Sequence, residues 1–175
     1  GGVNPSACRA ALVAAARAEG VDLKIAAVLG DDLMPQLETL RAAGVKEMFS
    51  GEPFPQKVMS ANAYLGAFPI AAALAAGADI VVTGRCVDSA VALAPLIHAF
   101  GWTAADHDLL AQGSLAGHLI ECGTHVTGGN YTDWETVPGW DDVGFPIAEC
   151  RADGSFVITK PEGTGGLVCP STVGE

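Results

Sequence analysis

Arg85 is the residue whose type and place most invite chemistry. It follows Ile80-Val81-Val82-Thr83, four β-branched residues that read as a strand buried on both faces in a parallel sheet. Ligands of open α/β sheets bind outside the carboxyl ends of strands, and a guanidinium there can clamp a carboxylate or phosphate through two parallel hydrogen bonds. Asp88 stands three residues on, as a general base or, within the first turn of the next helix, as a cap for orphan amides. Thr83 and Ser89 add hydroxyls, but no nucleophile elbow surrounds Ser89.

A second candidate is Lys160 with Gly163-Thr164-Gly165-Gly166, where glycines could turn successive amides inward as an anion nest beside a point charge. A flexible turn is the competing reading, since the motif matches neither the Walker nor the dinucleotide pattern. His118, Glu121, Cys122 and His125 lie close in sequence, yet helix-end histidines more often cap carbonyls, so no metal is expected. Asn62, a candidate catalytic group like Asp88, and Asn130, after Gly128-Gly129 and a candidate ligand contact, are both loop polar groups.

The elements that must position these groups alternate. Asn4 and Pro5 cap and open a helix over 5–18, after a turn at Gly1-Gly2; a strand follows over 23–29, and Asp31 or Asp32 caps a helix over 33–43. Helices over 65–76, 87–100 and 106–121 come next, with loop at 45–63 and again at 122–142, where Trp134 and Trp140 cover the core edge. Asp153-Gly154 marks a β-hairpin with a type I′ turn. The expected fold is α/β, a three-layer, Rossmann-like, mostly parallel sheet over 1–142, with a C-terminal β-hairpin excursion and glycine-rich tail over 143–175.

Composition narrows the functions. The formal charge is -11 and the nine basic residues are scattered in sequence, which argues against nucleic acid and anionic membranes. Five dispersed cysteines suit a reducing cytoplasm rather than a disulfide framework, and no apolar run is long enough for a bilayer. A start at Gly-Gly and an end at Ser171-Thr172-Val173-Gly174-Glu175, like an unfinished helical turn, suggest an internal fragment of a longer protein.

Several blocks in order carry a family resemblance: Gly1-Gly2-Val3-Asn4-Pro5, Ser60-Ala61-Asn62-Ala63-Tyr64-Leu65-Gly66-Ala67, Asp79 to Arg85, Asp88-Ser89-Ala90, Gly128-Gly129-Asn130 and Lys160 to Gly166. Across the whole chain this pattern resembles the acyclic terpene utilisation (AtuA-type) family. The resemblance implies a bacterial cytoplasmic protein in the catabolism of citronellol- or geraniol-like compounds. It implies no reaction and no cofactor, though coenzyme A could enter as part of the substrate. The expected partner is a small acyl-CoA or carboxylate ligand, and a homo-oligomer is compatible with this reading. The first hypothesis is an enzyme, or a catalytic portion of one, acting on a branched acyl-CoA thioester or its carboxylate; the competing hypothesis is a non-catalytic binding or scaffolding subunit of the same pathway.

Overall fold

A computed structural model describes residues 3–175, so the expected turn at Gly1-Gly2 lies outside the described residues. The chain is mixed α/β and divides into two compact units, one running through Val87 and the other from Asp88 to Glu175.

The first unit opens with α1 (Pro5–Ala18). Asn4 caps it, its side chain accepting from the Ala7 amide at 3.0 Å, and Pro5 occupies the first turn where a missing N–H costs nothing. Gly20 ends it with φ +69. β1 (Ile25–Val28) then pairs in parallel with β2 (Ile80–Thr83), in the register Ile25 to Ile80 and Val28 to Thr83. Between them lie α2 (Leu37–Ala42) and α3 (Ala67–Ala75), and both α1 and α3 pack on the two strands. The core is Ile25, Val28, Ala67, Ile70, Ala71 and Val82.

Three expectations need correction here. Among the described residues the parallel sheet has two strands, so a three-layer Rossmann-like sheet is not seen. With so few neighbours only Val82 of β2 is buried, not the whole run. The helix expected over 33–43 is broken: Pro35 lies in a 3-10 turn over Met34–Gln36, and α2 begins only at Leu37.

The second unit is built on α4 (Ala90–Phe100) and α5 (His107–Glu121), which pack together. Gly113 and Gly117, one turn apart on α5, permit that contact. A Cβ at Gly113 would meet Leu93 and Trp102, and one at Gly117 would meet the backbone of Ser89. Buried Trp102 donates its indole N–H to the Ala152 carbonyl at 3.0 Å, fixing the hairpin of β3 (Ile147–Cys150) and β4 (Phe156–Thr159).

The hairpin stands where expected, but its turn is of another type. Asp153 does not adopt positive φ. Gly154 alone does, at +85, its amide donating to Arg151 while the Arg151 amide pairs with Ser155. That is a three-residue loop, a type I turn closed by a left-handed glycine, and Asp153 spends its carboxylate on the Ser155 amide and hydroxyl. α6 (Pro170–Gly174) closes the chain. No helix among the described residues is long and apolar enough to cross a membrane.

Candidate functional site

The site of the first unit is a lip at the carboxyl ends of β1 and β2, and its centre is Asp31. The chain leaves β1 through Gly30, whose φ of +120 turns it sharply, and delivers Asp31 into the interior, 5% exposed. A buried carboxylate must be hydrogen-bonded to be tolerated. Asp31 Oδ2 accepts from Asn62 Nδ2 at 3.0 Å and from the backbone amide of Arg85 at 2.9 Å. Gly84 must be glycine for the same reason, because a Cβ there would overlap the Asp31 carboxylate.

Residues 61–65 are stitched between the two strand ends. The Ala63 amide donates to the Asp31 carbonyl, Leu33 to Ala61, Leu65 to Arg85, and Val87 to Leu65, all at 2.8–2.9 Å. This brings Asn62 and Tyr64 to the lip. Asp32, the neighbour of Asp31, accepts from the Met34 amide at 2.9 Å in the local turn, and its backbone bridges antiparallel to Asn62.

Arg85 is exposed here. Its Nη2 donates to the Tyr64 hydroxyl at 2.7 Å, and its guanidinium lies 5.2 Å from the centre of the Tyr64 ring. The hydroxyl, and behind it the charge of Asp31, push the Arg85 pKa up, reinforcing a cation that a guanidinium keeps in any case. One nitrogen is occupied and the remaining donors make no hydrogen bond among the described residues, the arrangement that takes a carboxylate or phosphate. Thr83 carries a buried hydroxyl with no partner among the described residues, a cost of about 1–3 kcal/mol. Beside the lip, residues 3–6 at the start of α1 and residues 29–32 line a cavity of about 350 Å3.

The other sequence candidates lie in the second unit. Asp88 is exposed in the turn before α4, outside the first helical turn, so it is not the cap expected there; the N-cap position belongs to Ser89, which makes no side-chain cap bond either. Asn130 is exposed in the turn after a 3-10 segment.

The Lys160 loop does not present an open nest. Lys160 Nζ donates to the Thr164 carbonyl at 2.5 Å, and the Thr164 hydroxyl donates to Pro161 at 2.7 Å. The amides of Gly165 and Gly166 donate to Asp142 and Pro138, each at 2.7 Å. Gly163 keeps positive φ in open space, while Gly165 passes so close to Gly139 that no side chain fits. The glycines serve chain packing.

His118, Cys122 and His125 do line one cavity, of about 350 Å3, together with Glu175. Among the described residues, however, no group of three or more His, Cys, Asp or Glu is placed to share a metal ion. The Cys122 thiol donates to Glu121 at 3.3 Å, which with desolvation pushes its pKa up and makes it a poor nucleophile.

Arg85, Thr83 and Asn62, candidates from the sequence, lie at these strand ends, whereas sequence reasoning assigned Asp31 no role beyond a helix cap and Tyr64 none at all. The available sign was symmetry: Asp31 follows β1 by three residues much as Arg85 follows β2 by two.

What kind of protein this is follows from comparison as well as geometry. The chain is an α/β protein with a polar cluster at its strand ends, and a family model, acyclic terpene utilisation family protein AtuA, matches residues 1–175. The chain belongs to that family. Searches of curated proteins and of solved structures each returned no match.

Proposed function

We propose that the chain acts in the cytoplasm in the breakdown of acyclic terpenes, binding a branched acyl-CoA thioester or its free carboxylate at the lip of β1 and β2. The observation that carries this reading is the exposed Arg85 guanidinium, held over Tyr64 and hydrogen-bonded to its hydroxyl above the Asp31–Asn62 bond. Arg85 would hold the anionic group, the Tyr64 hydroxyl would meet a carbonyl oxygen, and Asn62 would act by keeping Asp31 in place. The parallel pair and its packed helices are consistent with part of a larger doubly wound sheet, whose ligands sit at this edge.

The test is a thermal-shift screen of the protein against terpenoid acids and their coenzyme A thioesters, followed by calorimetry of Arg85→Ala on any hit. A raised melting temperature and an affinity tenfold to a hundredfold weaker in the variant support the anchor, the scale of a lost charge-assisted contact. Unchanged affinity would remove it. A non-catalytic assembly subunit is the second reading, favoured by the internal use of Lys160 and the amides of the glycine loop. A blank screen, with the protein retained by pathway enzymes in a pull-down, would support that role.

A further inference from the structure

The nine cations look scattered in sequence, but three of them meet at the opposite end of the first unit. Arg9 and Arg17 lie on one face of α1, eight residues apart, with Val13 midway between them. Lys24 enters from the start of β1. Together they rim a cavity of about 390 Å3, a size within the range of small-molecule sites. Its floor is apolar, made by Val13, Leu23 and Ile25 with Ala73, Ala76 and Ala78 around the carboxyl end of α3.

Two features make this more than a solvated patch. First, the chain has 20 acidic residues against 9 basic ones, yet none of these three cations has a carboxylate within ion-pair distance among the described residues. Asp79, which pairs with Lys24 through the backbone, uses its carboxylate on the Lys24 amide at 2.8 Å. Secondly, the cavity sits at the outer edge of β1. The carbonyls of Lys24 and Val28 accept from β2, so the alternate Ile25 carbonyl faces away, and Arg9 Nε caps it at 2.6 Å. An arginine on an edge carbonyl blunts that edge against another strand, and its terminal nitrogens remain as donors.

We propose that this cavity is a binding site for a small amphipathic anion, a medium-chain carboxylate whose head meets Arg9, Arg17 and Lys24 and whose tail lies on the alanine-rich floor. It is separate from the strand-end lip and does not rest on the function proposed there.

The experiment is titration calorimetry of the whole chain with hexanoate, octanoate and decanoate at low ionic strength, with octan-1-ol and octylammonium as controls. Saturable binding of the acids, tightening about threefold per added methylene, is expected, with octylammonium inert. Arg17→Gln with Lys24→Gln removes two side chains that make no hydrogen bond among the described residues. The affinity should fall roughly five- to tenfold while the melting temperature holds.

No binding of any acid would overturn the proposal, as would equal affinity in the double variant or equal binding of octylammonium. Self-association of the chain that the double variant abolishes, without octanoate binding, would instead assign the edge to a polypeptide partner and overturn it too.

Discussion

The strand-end lip of the first unit and the glycine loop of the second begin from similar ingredients and arrive at opposite uses. Each joins a cation to glycines after a strand. At the lip, the Arg85 backbone amide and the Asn62 side-chain amide meet on a side chain, Asp31, and the cation of Arg85 is left exposed. In the loop, the amides of Gly165 and Gly166 converge on backbone carbonyls, and Lys160 folds back onto Thr164. The lesson is that a cation beside glycines marks an anion site only when its donors are not already satisfied by the chain. The donor ledger decides, not the composition.

Substitutions can break this comparison, the largest first. Gly165→Ala should cost about 3 kcal/mol in denaturant unfolding, because its methyl would strike the Gly139 backbone, which has no free end to move. Gly84→Ala should cost somewhat less, about 2 kcal/mol, since the obstacle is the Asp31 carboxylate and a side chain can shift. If Gly84→Ala cost nothing, Asp31 would not be the fixed centre described. Lys160→Met should lower stability by about 1 kcal/mol and leave ligand affinity alone, whereas Arg85→Ala should do the reverse. A loss of affinity in the lysine variant would collapse the distinction between the two regions.

Smaller effects sharpen it. The Ser155 hydroxyl and amide hold the Asp153 carboxyl below its ordinary value of 3.8, and Thr103 does the same for Asp106. A depressed carboxyl stabilises the fold above its unfolded pKa and loses that contribution as pH falls through the folded value. The difference between the parent chain and Asp153→Ala should therefore be full at neutral pH and close as the solution is acidified below 3.8, read from melting temperatures. The smallest effect is chemical. Glu121→Gln should speed alkylation of Cys122, mapped by mass spectrometry, because the charge that accepts the thiol hydrogen bond and disfavours the thiolate is gone.

Local features of this fold were legible in the sequence, and distant pairings were not. Asn4-Pro5 specifies the start of α1 with groups three residues apart, and the observed cap is that one. The run Ile80 to Thr83 is β2 to the residue. Asp153-Gly154 marked the hairpin, but the turn type depended on whether Asp153 would take positive φ or bond Ser155, two local options of similar cost. Asp31 was the harder case. Its partners stand 31 and 54 residues away, and nothing at positions 30–32 distinguishes a helix cap from a buried acceptor. The cation cluster of Arg9, Arg17 and Lys24 was hidden for a like reason, since the helix and the strand must first pack before their charges become neighbours.

Asp31 also bears on how the first unit acquires its lip. Its carboxylate is bound only once chain segments that enter at three separate points have all arrived, across loops of 31 and 54 residues. Closing such loops costs entropy before any contact rewards it. The lip is consequently assembled late in folding and as a whole, so protection of the Arg85 amide from hydrogen exchange would report the finished unit and no partial one.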